Sequence, residues 1–301
     1  MQSTHAKQVG ALAAQALKSD EESTIGQVIA TFPNSFYVKT RTDQLLFITN
    51  RSLRSPITVN VEDSGSFTDM IKPLDIVCIH DGRLCSPNLS IELANISPED
   101  EKTVLDNDVH CSKLTEASTL LSTILQIIEN AGSVLDPNRP LLHESIGDFV
   151  KRAIIPLRNR EFPLEFTAAA SKIIGLGPGF TPSGDDFLLG FLFIYNSLSR
   201  NITRIPICLD FTLLAARTNW ISAKLLDYAQ HLQVDDQLLW LFRSMSDEHA
   251  DTVTAVETLI PRGHTSGIDI ATGVVFGMTI ACDIALKQRR TEAVAANLGL
   301  L

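Results

Sequence analysis

A chain of 301 residues with a formal net charge of −10 and a pI near 5.1 repels polyanions, which argues against general nucleic-acid binding. With 45% hydrophobic and 20% charged residues it is globular, long enough for one large or two ordinary domains with a sizeable core. The five cysteines, at 78, 85, 111, 208 and 282, form no C-x-x-C or Cys/His cluster, so they read as buried reduced thiols of a cytoplasmic protein and not as a zinc site.

In chain order, residues 5–18 read as a short amphipathic helix rather than a secretory signal. Alternating apolar residues then predict strands at 24–30, 35–39, 44–49, 56–61 and 75–80. Asp81-Gly82 is a hairpin turn, and strands at 84–86 and 89–93 close a small sheet or barrel. After a polar stretch at 97–108 the period changes. Leu114, Ala117, Leu121, Ile124, Leu125 and Ile128 follow helical spacing behind a cap at Ser112. Further helices are predicted over 140–154, 163–174, 182–199, 206–217, 219–231, 235–244, 247–260 and 266–287. The fold class is therefore α+β: a small N-terminal β-sheet or barrel with a short leading helix over 1–100, then a larger, mostly α-helical domain over 101–301. No membrane span is expected. Residues 187–198 are shorter than the ~20 a bilayer requires. Residues 267–286 are long enough, but they carry Asp269 and Asp283 and read as a core helix.

The densest chemistry lies in Gly175-Leu-Gly-Pro-Gly-Phe-Thr-Pro-Ser-Gly-Asp-Asp186, which runs into an apolar helix. Glycine and proline at this density make a fixed loop whose backbone, at Gly177 and Gly179, can approach a ligand closely. Thr181 reads as the N-cap and Pro182 as the first helical residue, so exposed helix N–H groups and the helix dipole favour an anion there. Asp185 and Asp186 in the first turn suit a cation, a proton or a cationic substrate group. The plain alternative is that they merely stabilise the helix dipole.

A second loop, Gly263-His-Thr-Ser-Gly-Ile-Asp269, precedes another apolar helix. Ser183, Gly184, Asp186, Gly190 and Phe193 match Ser266, Gly267, Asp269, Gly273 and Phe276 at one offset. Two such helix starts could face each other across one site, with Thr181, Ser183, Gly184, Thr265, Ser266 and Gly267 supplying polar contacts. Chance explains an echo of this length equally well, and Gly273 and Gly277 suit close helix packing. His264, inside the second loop, can donate a hydrogen bond to a carbonyl or phosphoryl oxygen or move a proton. Thr218, Asn219 and Ser222 form a lesser candidate, in which capping of the next helix is the simpler reading. The phosphate loop, the dinucleotide fingerprint and the G-x-S-x-G elbow are all absent.

These two motifs, with Arg217-Thr-x-x-x-Ser222-Ala-x-Leu-Leu226 between them, resemble the signatures of the AllH-like family. The resemblance implies a subunit of the oxamate carbamoyltransferase of anaerobic allantoin breakdown, part of purine catabolism. That enzyme converts oxalurate and phosphate to oxamate and carbamoyl phosphate and works as a hetero-complex with other subunits. It implies Asp185, Asp186, His264 and Asp269 as the chemical groups and the two loops as binders of a small anionic metabolite. No cofactor is certain. If a cation takes part, Mg²⁺ held by Asp185, Asp186 and Asp269 is the expectation. The phosphate motif of the ornithine and aspartate carbamoyltransferases is absent, and only Arg262 adjoins either loop. Two other classes stay open: a Mg-dependent phosphotransferase or nucleotide-binding enzyme, and a non-catalytic metabolite-binding or scaffold subunit.

Overall fold

The computed structural model describes residues 2–18, 23–62, 65–93, 126, 138–159, 165–199, 202, 205–245, 251–286 and 290–301. The helix expected over 112–128 lies, apart from Gln126, outside them. The chain forms two compact units, residues 1–104 and 105–301.

The first unit is a closed eight-stranded barrel, in the order β1-β5-β4-β3-β2-β6-β7-β8. The strands are β1 (Gln2–Val9), β2 (Ser23–Phe32), β3 (Ser35–Thr40), β4 (Leu45–Thr49), β5 (Thr58–Val61), β6 (Ile76–His80), β7 (Arg83–Cys85) and β8 (Leu89–Glu92). Two-residue periodicity sends one set of side chains inward: Phe36 and Val38 from β3, Val77 and Ile79 from β6, Leu84 from β7. Asp81 and Gly82 both take positive φ, 49° and 67°, as a two-residue hairpin demands.

The leading helix is shorter than expected, and only Ala11–Leu17 (α1) is helical. Residues 2–9 instead form β1, antiparallel to β5 and parallel to β8. Those partners lie fifty or more residues away, and pairing with them closes the barrel and removes its open edges.

The second unit contains helices α2 (Pro140–Phe149), α3 (Phe166–Ile173), α4 (Ser183–Ser197), α5 (Phe211–Arg217), α6 (Trp220–Gln230), α7 (Asp236–Ser244), α8 (Thr252–Leu259), α9 (Ser266–Leu286) and α10 (Arg290–Asn297). Every residue of α4 is buried, so its polar as well as its apolar side chains must find internal partners. Phe149, Phe166, Phe187, Phe191 and Tyr195 pack ring against ring around it. Among the described residues α9 is the one helix long and apolar enough to cross a membrane, and it is mostly buried inside the protein. Its Asp283 accepts hydrogen bonds from the backbone N–H groups of Arg290 and Thr291 and from the Thr291 hydroxyl.

The helix expected from 206 begins only at Phe211, behind the Asp210 cap. Before it the chain is extended and clamped by two buried amides. Asn196 bonds both the N–H and C=O of Ile207, and Gln230 bonds both of Leu209. The thiols are less buried than their residue type suggests: Cys282 is buried, Cys78 and Cys85 are intermediate, and Cys208 is exposed. Cys111 lies outside the described residues.

Candidate functional site

The site grows from the crossing of α4 and α9. A Cβ on Gly190 would lie 2.1 Å from the Ile270 carbonyl oxygen, and one on Gly273 would lie 2.0 Å from that of Phe187. These contacts are reciprocal, because Gly190 and Phe187 correspond to Gly273 and Ile270 at the sequence offset of 83. The helix starts repeat the relation. Gly184 N–H donates to Leu176 O (2.9 Å), and Gly267 N–H donates to Arg262 O (3.0 Å). Gly184 presses on Ile173 O at the end of α3, and Gly267 presses on Leu259 O at the end of α8. Gly177 and Gly263 both take positive φ and lie against the first serine of the following helix. The echo in the sequence is thus a pseudo-two-fold in the structure, with residue i touching j and the counterpart of j touching the counterpart of i.

The two helix starts meet directly. The Thr181 and Ser266 hydroxyl oxygens are 3.2 Å apart, and Thr181 Oγ1 donates to Asp186 Oδ2 at 3.0 Å. Asp186 is 4% exposed and Asp269 0%. Burial, above all, raises the Asp186 carboxyl from its ordinary value to about 7. Hydrogen bonds from Ser266 and Thr181 and the charge of Arg262 oppose this rise, while the charge of Asp269 adds to it. Arg262 Nη1 is held by Asp235 Oδ2, and the other oxygen of Asp235 caps α7 at Leu238 N–H. Asp235 has no local motif: it lies 27 residues before Arg262, so sequence reading missed it.

Asp185 belongs to a different cluster. Its Oδ1 accepts from Gly175 N–H at 2.7 Å and its Oδ2 from the Thr218 hydroxyl, with a further contact from Ser222. Burial raises its carboxyl too, against those hydrogen bonds. Asn219 caps α6 through Oδ1 and donates from Nδ2 to Phe180 O. Asp185, Thr218, Asn219 and Ser222 therefore fasten the first loop to α6.

Several sequence expectations need correction. Pro182, not Thr181, is the N-cap of α4, because Thr181 spends its hydroxyl on the buried carboxylate of Asp186. The α4 amides of residues 184–186 are occupied, by Leu176 O and Pro182 O, and the α9 amides of 267–269 by Arg262 O and Thr265 O. The helix dipoles remain, but the site offers hydroxyls and carboxyls more than bare N–H groups. Gly184 and Gly267 are buried, with the Ile173 and Leu259 carbonyls where a Cβ would stand, so both allow close helix packing. Among the described residues no three His, Cys, Asp or Glu side chains converge to hold a metal, since Asp185 turns to Gly175 and Thr218. Gly177 and Gly179 do take positive φ, 108° and 115°. His264 is exposed, two residues ahead of Ser266.

Residues 173–278 match the family described as oxamate carbamoyltransferase subunit AllH. The matched segment runs from the last residue of α3 into α9 and contains both glycine-loop motifs, so over this segment, about a third of the chain, the sequence is similar to that family. No solved structure matches the chain.

Proposed function

We propose that this chain is a cytoplasmic carbamoyltransferase subunit that works with partner subunits, and that its chemistry runs at Asp186 between the α4 and α9 helix starts. The observation that carries this reading is the state of Asp186. It is buried, held by hydroxyls from both loops, near enough to Asp269 to feel its like charge, and raised to about 7. A carboxyl poised there can give and take a proton at neutral pH.

Toward carbamoyl phosphate, a phosphate oxygen attacks the carbamoyl carbon of oxalurate. The tetrahedral centre then expels the oxamate nitrogen, which leaves with a proton. Protonated Asp186 supplies that proton, and the resulting carboxylate is stabilised by Thr181, Ser266 and the charge of Arg262. The Arg262 guanidinium, aimed by Asp235, gives the anionic reactants an electrostatic anchor. Hydroxyls fixed beside the reacting carbon replace water as donors to the developing oxyanion.

The test is turnover by the reconstituted complex, followed as carbamoyl phosphate formed from oxalurate and phosphate. Asp186→Asn keeps the shape and removes the titrating group, and should slow turnover by about 100-fold or more. His264→Gln, at an exposed position, separates a role in the proton transfer from a peripheral one. A complex that assembles with Asp186→Asn and turns over at the wild-type rate would leave this chain a scaffold.

A further inference from the structure

A thiol and an imidazole meet at the far end of α6 from the first glycine loop. Cys208 and His231 are both exposed, and Cys208 Sγ stands 3.8 Å from His231 Nε2. They are 23 residues apart, so no local motif joins them. The buried amide clamp brings them together. Asn196 holds the backbone of Ile207 and Gln230 holds that of Leu209, the two neighbours of Cys208. Asn196 Nδ2 also donates to the carbonyl of Gln230, the residue before His231. Both side chains thus project from backbone that the same two amides fix, which sets their spacing in advance.

The ring is oriented as well. His231 Nδ1 lies 2.7 Å from the backbone carbonyl oxygen of Asp227. A carbonyl only accepts, so Nδ1 carries the hydrogen, and in the neutral ring Nε2 turns its lone pair toward Cys208. Metal-binding histidines are held in this way, one ring nitrogen donating to a carbonyl or carboxylate while the other faces the ion. The Asp227 carboxylate, 3.5 Å from Nδ1, adds negative charge beside the pair. Partial desolvation, and then that charge, raise the Cys208 thiol, so without a bound cation it keeps its proton and is a poor nucleophile.

We propose that Cys208 and His231 form a two-donor site for a thiophilic divalent cation of the zinc class. Sγ and Nε2 supply two ligands, water supplies the rest, and the thiol proton leaves to solvent as the metal–sulfur bond forms. Bonds of about 2.3 Å to sulfur and about 2.0–2.1 Å to nitrogen at a tetrahedral angle span roughly 3.5 Å, so the two atoms already stand within about 0.3 Å of a chelating separation. Among the described residues no group of three His, Cys, Asp or Glu side chains converges to hold a metal. The site is therefore open and exchangeable, unlike the closed four-ligand sites of structural zinc. It does not depend on the reading of Asp186.

The experiment titrates the metal-free full chain with Zn²⁺ by calorimetry, and with Cd²⁺ while the ultraviolet absorption of the metal–thiolate bond is followed. Wild type should bind one ion in a step that Cys208→Ser and His231→Gln each weaken at least about tenfold, the loss that even an outer-shell change produces. Cys208→Ser should also remove the cadmium–thiolate absorption of that step. The double variant Cys78→Ser/Cys85→Ser should keep both signals. Zn²⁺ should raise the melting temperature of wild type more than that of either single variant, because only the folded chain brings the two donors together. No uptake by wild type overturns the proposal, as does uptake unchanged by Cys208→Ser or lost in the Cys78/Cys85 variant. Uptake that needs Cys208 but is unchanged in His231→Gln overturns it too, since a thiol alone would then be capturing the ion.

Discussion

Asp186 links the site to a measurable property of the whole chain. Its carboxyl titrates near 7 in the folded protein, against about 3.9 in an unfolded chain. At low pH it is protonated in both states. As pH rises past about 4 the unfolded chain ionises and gains solvation, while the folded chain keeps its proton until about 7. The stabilising contribution is therefore complete below about pH 4, is lost progressively between about 4 and 7, and stays lost above that. At about 1.4 kcal/mol per unit over roughly three units, the loss is on the order of 4 kcal/mol. Asp186→Asn removes the titration and keeps the volume. The difference in unfolding free energy, wild type minus variant, should then fall by about that amount between pH 4 and 7, and the variant should be the more stable protein above pH 7. Urea unfolding of both proteins at five pH values measures it, and the subtraction cancels other groups, the raised Asp185 included. A difference that does not change with pH would refute a buried, protonated Asp186.

Other outcomes follow from packing. Gly190→Ala puts a Cβ about where the Ile270 carbonyl oxygen already is, so it should cost at least ~1–3 kcal/mol and lower the melting temperature; wild-type melting would mean that α4 and α9 do not cross there. Gly177→Ala combines a φ of 108° with a Cβ 2.9 Å from that of Ser183, and should lose ~1–3 kcal/mol, read as a lower melting temperature; wild-type melting would mean that the loop does not hold Gly177 in that conformation. Asn196→Ala strands the Ile207 N–H and carbonyl and should lower the urea midpoint by an amount equivalent to about 2 kcal/mol or more. Asn196→Asp, which keeps the acceptor for Ile207 N–H, tests whether the clamp is the cause.

Much of this molecule is legible one segment at a time. The alternating runs from 23 to 92, the Asp81-Gly82 hairpin and the starts of α4 and α9 all depend on side-chain period or turn chemistry, which act over a few residues. The two motifs also stand out because glycine and proline at such density have few other uses. What local rules could not supply is the choice among competing partners. Residues 5–9 read as the start of a helix, but a distant edge on β5 and β8 needed a strand. Asp185 and Asp186 look like a pair in sequence. Adjacent positions on a helix point about 100° apart, so one reaches Thr218 and the other reaches Ser266. Thr181 has the chemistry of a cap, yet a buried carboxylate within reach claims its hydroxyl and leaves Pro182 as the N-cap, with the helix starting at Ser183. The S-G-x-D echo was visible in the chain, but its meaning depended on which glycine faces which carbonyl. That is decided only when two helices approach closely enough that a single Cβ cannot fit between them.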